Sequence, residues 1–221
     1  MRRLPELRTD GERLLARYFE RVRGWLPGIE WDYEPALEGR RRRPDFRLRL
    51  GGWKCMLEVK EFAAPSLREP SDGDAFRRGR HRRIAAKIRS AQRQLREYQE
   101  DHACAVVLVS GTTPDTDVDD PAVTVGALLG DATFRFHLGA GGFPPSAATD
   151  PPPAAVVTLR EFGDGVAVTV LENPCAARRF PSHLFQGAWD SCWAVDEDAG
   201  LQRVFAGSAI RAAEAAAAAA A

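Results

Sequence analysis

The segment RPDFRLRLGGWKCMLEVKEF, residues 43–62, constrains the fold more than any other part of the chain. Over residues 46–50, apolar side chains alternate with arginines, which is the period of two of a β-strand with one buried face. Gly51-Gly52 supplies a tight turn, and a second, more apolar strand returns beside the first. Because both faces of this returning strand are partly apolar, we expect it to lie inside a sheet that is covered on both sides.

The pattern around this hairpin predicts an α/β core in the order α-β-β-β-α-β. A first helix is expected to begin at Thr9 or Asp10, and a short strand at residues 29–34 is expected to precede the hairpin. A second helix, from about Arg80 to Glu100, carries an apolar stripe at steps of three and four residues. The apolar strand ACAVVLVS follows, so we expect this helix to cross over to a parallel neighbour of the returning strand.

The second half of the chain predicts an extension of the same domain. We assign residues 1–110 to the core, residues 111–205 to the extension and residues 206–221 to an alanine-rich tail. The extension begins with an acidic loop, contains a β-hairpin that turns at Gly163-Asp164-Gly165, and is expected to be loop-rich over residues 175–200. The predicted fold class is therefore α/β, with a mixed central sheet flanked by helices and a C-terminal hairpin and loop extension.

Composition excludes several classes of protein. No run of about 18 apolar residues is present, so no membrane-spanning helix and no membrane partner are expected. The N-terminal residues lack the apolar core of a secretory signal, which favours a cytoplasmic protein. The four cysteines do not have the spacing of a zinc site or of an iron–sulfur cluster.

Charge is unevenly distributed although the chain is neutral as a whole. Residues 1–100 contain 25 Lys and Arg against 16 Asp and Glu, whereas residues 101–221 contain 6 against 15. A basic half of this kind is typical of proteins that bind polyanions, although arginine-rich faces that are only solvated give the same count. Because basic clusters flank the hairpin in sequence, we expect phosphate contacts from five of their residues: Arg42, Arg43, Arg80, Arg83 and Lys87.

Three charged residues of the hairpin form a candidate metal site. Asp45 opens the first strand, and Glu58 and Lys60, two residues apart on the second, point to the same face. The turn brings the two carboxylates together, so they and the carbonyl of Val59 are expected to hold Mg²⁺, for which Mn²⁺ can substitute. Lys60 is then placed to orient or deprotonate a water molecule that attacks a phosphodiester. The alternative is that Glu58 and Lys60 form only a structural ion pair.

The residues Pro44-Asp45 and Glu58-Val59-Lys60, separated by 12 residues, resemble the signature of the PD-(D/E)XK nuclease superfamily. Members of this superfamily share the restriction-endonuclease-like fold, and the resemblance covers about residues 9–110. It implies a metal-dependent (endo)deoxyribonuclease in which Asp45 and Glu58 bind the metal and Lys60 assists the nucleophilic water.

The same resemblance implies roles for residues on both helices. Many members carry a catalytic glutamate near the metal in the first helix; Glu12 matches best, with Glu20 and Glu34 as alternatives. On the second helix, Gln94 and Tyr98 match the Q-x-x-x-Y motif of RecB-type members, which implies contact with phosphate or base. The alternative is that Tyr98 packs in the core and Gln94 is solvated.

The expected function is Mg²⁺-dependent hydrolysis of phosphodiester bonds in nucleic acid, with DNA as the expected substrate. The resemblance implies a place in a bacterial defence, restriction or repair system, and the size of the chain is compatible with a homodimer or with action beside a partner protein. Two alternatives stay open. One is a non-catalytic nucleic-acid-binding or assembly module on the same fold, and the other is a protein-interaction domain in which the charged triad is structural.

Overall fold

The computed structural model describes residues 5–62, 73–110, 121–129, 153–163, 165–173, 176–182, 185, 190–196 and 200–206. Its helices are α1 (Asp10–Val22), α2 (Gly73–Leu95) and α3 (Pro121–Leu129), and a 3-10 turn at Arg96–Tyr98 prolongs α2. Its strands are β1 (Glu30–Tyr33), β2 (Phe46–Leu50), β3 (Trp53–Phe62), β4 (Ala103–Ser110), β5 (Ala155–Phe162), β6 (Gly165–Glu172), β7 (Ser191–Asp196) and β8 (Gly200–Ala206). No helix within these ranges is long and apolar enough to cross a membrane.

All eight strands belong to one mixed sheet, in which the spatial order follows the chain order. The β3–β4, β4–β5 and β6–β7 pairs are parallel, and the other four pairs are antiparallel. The predicted parallel pairing across α2 is confirmed, because Cys55 pairs with Ala103 and Phe62 with Ser110. The predicted hairpin of β5 and β6 is also confirmed, and it carries the sheet on from β4 into the second half of the chain.

The sheet separates two apolar cores, as expected for a central strand covered on both sides. Leu57 of β3 packs in the core that contains α1, whereas its neighbour Met56 packs in the core that contains α2. Successive strand residues point to opposite faces. Glu58 and Lys60 therefore lie with Met56 on the α2 face.

A capping box fixes the start of α1. Thr9 Oγ1 accepts the backbone N–H of Glu12 at 3.2 Å, and Glu12 Oε2 accepts the backbone N–H of Thr9 at 3.1 Å. These two bonds satisfy donors that a helix N-terminus otherwise leaves unpaired. The prediction that α1 begins at Thr9 or Asp10 is confirmed.

Three elements differ from the sequence-based expectation. The second helix begins at Gly73, well before Arg80, because the low helix propensity of Gly73 and Gly79 favoured a loop in the pattern. Helix α3 overlaps the end of the expected acidic loop. Strands β7 and β8 were not predicted, because both are short and a bulge at Cys192–Trp193 interrupts their pairing. The tail from residue 207 and the loop over 130–152 lie outside the described residues.

Candidate active site

The hairpin of β2 and β3 places Asp45 beside Glu58. Phe46 pairs with Leu57 in the antiparallel ladder, so the residue before Phe46 stands opposite the residue after Leu57. Asp45 Oδ2 accepts the backbone N–H of Val59 at 2.7 Å. This bond holds the Asp45 carboxylate against the strand that carries Glu58.

The Glu58 carboxylate is buried and incompletely hydrogen-bonded. The residue is 2% exposed. Its Oε1 accepts a hydrogen bond from Lys60 Nζ at 2.7 Å, whereas its Oε2 is buried and has no hydrogen-bond partner among the residues that the structure describes. Because buried polar atoms are rarely left in this state, Oε2 is open to a further ligand.

The environment of these two carboxyl groups disfavours their charged forms. Burial raises the pKa of Asp45 to about 6 and that of Glu58 to about 7. Repulsion by Asp45 raises the pKa of Glu58 further, while the hydrogen bond and charge of Lys60 act in the opposite direction. Two negative charges in a poorly hydrated site are unfavourable, so a bound cation would stabilise the ionised pair.

Lys60 is fixed between the sheet and α2. Besides Glu58 Oε1, its Nζ donates to Gln94 Oε1 at 2.5 Å. The Lys60 side chain is 16% exposed. Gln94 is thus neither a solvated helix residue nor remote from the charged triad. Asp45, Glu58, Lys60 and Gln94 form one constellation on the α2 face.

Tyr98 occupies the core and also anchors the segment that leads into Asp45. The residue is fully buried, as the packing alternative expected. Its hydroxyl donates to the backbone carbonyl of Arg42, and the Arg40 guanidinium lies 5.8 Å from its ring centroid. These contacts tie residues 40–43 to the end of α2, and Pro44-Asp45 follows directly. Tyr98 therefore acts on the candidate site through the backbone that enters β2.

The basic residues that were predicted to contact phosphate have different surroundings. The Arg42 guanidinium donates to a backbone carbonyl near the C-terminus of α2, where a positive charge complements the helix dipole. Arg43 and Arg83 are exposed, and Lys87 is half-buried. The side chain of Arg80 lies outside the described residues. Arg42 thus stabilises a helix end, and phosphate contact by these residues stays a prediction.

Glu12 is buried at the N-terminus of α1 and already has several partners. Its Oε2 accepts the backbone N–H of Arg8 at 2.6 Å and the hydroxyl of Tyr33 at 2.9 Å, in addition to the capping bond. Its charge raises the pKa of Asp45, so the two carboxylates lie within electrostatic reach. In the described ranges, no three His, Cys, Asp or Glu side chains are grouped as a metal cage. A metal-binding role for Glu12 stays a prediction.

The two alternative glutamates are engaged elsewhere. Glu20 accepts Trp31 Nε1–H at 2.9 Å and pairs with Arg23 at 3.1 Å. Glu34 pairs with Arg8 at 2.8 Å, and its backbone N–H donates to the carbonyl of Asp45 at 2.9 Å. Of the two, Glu34 is the one placed next to the candidate site, and its charge also raises the pKa of Asp45.

Sequence reasoning missed contacts that join distant segments around the site. The bond between Gln94 and Lys60 has no local signal, because 34 residues separate the two. Glu61 accepts the backbone N–H of Gly11 at the start of α1, across 50 residues. A carboxylate at a helix N-terminus is a favoured arrangement, but only the packing of α1 on β3 brings Glu61 there.

Comparison with known proteins assigns no family to the chain. No protein-family model matches it. No curated protein matches its sequence either. The functional assignment therefore depends on the geometry of the constellation around Glu58.

Proposed function

We propose that this chain is a Mg²⁺-dependent nuclease that hydrolyses phosphodiester bonds in DNA, built on a restriction-endonuclease-like core. The observation that carries the proposal is the arrangement around Glu58. One of its oxygens is bound by Lys60, and the other is buried beside Asp45 without a partner among the described residues. Two adjacent carboxylates with a fixed amine are the groups that metal-assisted phosphodiester hydrolysis requires.

The donor atoms of the site fit Mg²⁺. This ion prefers oxygen ligands and is commonly held by one or two carboxylates, with water and phosphate completing its coordination. Asp45 and Glu58 would hold it, with the carbonyl of Val59 as a further ligand. The raised pKa values of the two carboxyl groups support this assignment, because a cation favours their ionised forms. When bound, the ion supplies Lewis acidity and neutralises charge that develops on the phosphate.

Lys60 and Gln94 have separate roles in this proposal. Lys60 Nζ orients the attacking water and takes part in its proton transfer, since it is the one amine beside the carboxylate pair in the described part of the chain. Gln94 is a positioning residue, because its amide oxygen accepts a hydrogen bond from that amine. The exposed side chains of Arg43 and Arg83 supply charge for contacts with backbone phosphates.

The order of elements supports the same assignment. Helix α1, strands β1–β3, helix α2 and strand β4 follow each other as the resemblance to PD-(D/E)XK nucleases implies. The triad lies on one face of the hairpin, and the Q-x-x-x-Y residues of α2 reach it through Gln94. We place such a nuclease in a bacterial defence, restriction or repair system, acting as a homodimer or beside a partner protein.

One observation favours a non-catalytic alternative. Lys60 is paired with Glu58 at 2.7 Å, and a lone ion pair of this kind also occurs where it only satisfies a buried charge. In that case the chain is a binding or assembly module, and the basic residues around α2 bind nucleic acid without cutting it.

Cleavage of a substrate panel tests the proposal. Supercoiled plasmid, linear duplex DNA, single-stranded DNA and RNA are incubated with the protein in Mg²⁺, in Mn²⁺ and in EDTA. Lys60→Ala removes the proposed catalytic amine, and Lys54→Ala is its matched control, since Lys54 is exposed on the same strand and the same face. We expect metal-dependent cleavage of DNA by the wild type and Lys54→Ala, and none by Lys60→Ala.

Binding measurements separate the alternatives if no substrate is cut. Nucleic-acid binding without cleavage, together with no calorimetric Mg²⁺ binding, supports the non-catalytic module and contradicts the nuclease. Cleavage that Lys60→Ala retains contradicts the assignment of Lys60. Gln94→Leu is expected to slow cleavage without abolishing it, because the amine stays present but loses one of its two hydrogen bonds.

A further inference from the structure

A second hollow lies at the opposite edge of the sheet from the Asp45–Glu58 site. Its volume is about 150 Å³, and it is enclosed by the chain after α2, the start of β4 and the start of β5. His102 immediately precedes β4, whereas Lys60 pairs with Leu108 near the end of that strand. At about 3.3 Å per residue, the two sites are separated by roughly 20 Å along β4, so the hollow is not part of the candidate active site.

Three buried polar atoms meet at this hollow without hydrogen-bond partners in the described part of the chain. They are Nε2 and Oε1 of Gln99 and Nδ1 of His102, and both residues belong to the lining. Buried side-chain donors and acceptors are hydrogen-bonded in the large majority of cases. An amide and an imidazole that face one hollow in this state indicate a guest that donates and accepts hydrogen bonds.

The remaining walls hold these groups in place and are mostly apolar. The His102 ring packs edge-on against Tyr98, with centroids 6.5 Å apart and an interplanar angle of 73°. Ala154, Ala176 and Cys104 supply small apolar surfaces. Burial lowers the pKa of His102, so at neutral pH its ring is uncharged, with one donor and one acceptor nitrogen. The hollow thus combines apolar walls with a polar edge made of a neutral amide and a neutral imidazole.

Size and polarity together define the guest. A cavity of about 150 Å³ accommodates one six-membered ring such as benzene. An amide side chain recognises a base edge that offers a donor beside an acceptor, as Gln does with adenine in DNA. Pyrimidine bases have a single six-membered ring with such an edge, whereas purines add a second ring. The exposed Arg178, held by the carbonyl of Glu100 at 2.7 Å, lies at the rim and suits an attached phosphate.

We propose that the hollow lined by Gln99 and His102 binds one pyrimidine base, carried by a free nucleotide or by an unpaired residue of a polynucleotide strand. The site is independent of the proposed nuclease activity, because it lies at the other edge of the sheet and uses none of the same side chains. Gln99 and His102 read the polar edge of the base, and Ala154, Ala176 and Cys104 contact its ring.

Isothermal titration calorimetry of the full chain in EDTA tests this proposal without involving the candidate metal site. The probes are cytidine, uridine, their 5′-monophosphates and adenosine. We expect one saturable site for a pyrimidine nucleoside and weaker binding of adenosine. Gln99→Leu and His102→Phe are each expected to weaken binding about tenfold or more, since each removes hydrogen bonds to the base. Arg179→Ala, an exposed change beside the rim, is the control and is expected to bind as the wild type does.

Ala176→Leu gives a test that does not depend on the polar residues. It fills the hollow with apolar atoms, so it is expected to block pyrimidine binding if Gln99→Leu or His102→Phe fails to fold. Short oligonucleotides with a pyrimidine or an abasic residue at the centre identify the source of the base: a preference for the pyrimidine-containing strand assigns a strand residue, and equal weak binding of both assigns the free nucleotide. No saturable binding of either pyrimidine by the wild type, equal binding of adenosine, or binding unchanged in Ala176→Leu would overturn the proposal.

Discussion

Replacement of Glu58 by Gln is expected to increase the free energy of unfolding at alkaline pH when no divalent metal is present. The substitution keeps the shape of the side chain and an acceptor for Lys60, but it removes a charge that is 2% exposed and stands beside Asp45. Carboxylates in folded proteins more often stabilise in their charged form, so a gain in stability here would be diagnostic of a site that requires a cation.

The pKa of Glu58 gives the magnitude and the sign. Burial, followed by repulsion from Asp45, raises it from 4.5 to about 7. Because the folded state binds the proton more tightly, the stability associated with this group is fully present below pH 4.5 and is lost as pH rises through 7. Each pKa unit corresponds to about 1.4 kcal/mol, so the loss in the wild type approaches about 3 kcal/mol at high pH.

Urea denaturation in EDTA across pH 4.5 to about 8.5 measures this difference. We expect the wild type and Glu58→Gln to have similar free energies of unfolding at the acid end, and the variant to be more stable by about 3 kcal/mol at the alkaline end. Glu30→Gln is the control, because Glu30 is a largely exposed carboxylate on β1 and such changes stay within about 0.5 kcal/mol.

The metal dependence of stability completes the test. Under the proposed function, Mg²⁺ stabilises the wild type at alkaline pH, because it binds the folded state only. Glu58→Gln loses one of the two ligands, so we expect the ion to have little effect on it. A variant that is less stable than the wild type at alkaline pH in EDTA would refute the reasoning. It would show that the ion pair with Lys60 outweighs the burial of the charge.

Three further substitutions test contacts that hold the site in place, each by urea denaturation. Tyr98→Phe removes the hydroxyl bond to the Arg42 carbonyl while keeping the packed ring, so we expect a loss of about 1 kcal/mol. Gly11→Ala would place a Cβ atom 2.7 Å from Oε1 and 2.8 Å from Cγ of Glu61, and overpacking of this kind costs about 1–3 kcal/mol. Thr9→Ala breaks the capping box of α1 and should cost about 1 kcal/mol, most of which Thr9→Ser should retain.

Each of these predictions has a contrary outcome. An unchanged Tyr98→Phe would show that the hydroxyl bond does not anchor the segment before Asp45. An unchanged Gly11→Ala would show that Glu61 moves away from the start of α1 without cost. Equal losses in the Ala and Ser variants of Thr9 would place the effect elsewhere than in the capping bond.

Much of the sheet could be predicted because its signals are local. The alternation over residues 46–50, the turn at Gly51-Gly52 and the uninterrupted apolar strand β4 are each short patterns that a strand period produces. The parallel pairing of β3 with β4 also followed, since a helix of that length between two strands implies a crossover. Strands β7 and β8 could not be predicted, because a bulge and their short length remove the period.

The sequence by itself determined that Asp45, Glu58 and Lys60 share one part of the hairpin, because a period of two and a tight turn place them there. Only the tertiary structure decided what surrounds them. The packing of α2 brings Gln94 to Lys60 across 34 residues, and it buries Glu58 with one oxygen unpaired in the described part of the chain. Side-chain burial and hydrogen bonding between remote segments depend on how helices cover the sheet, and no local pattern contains that information.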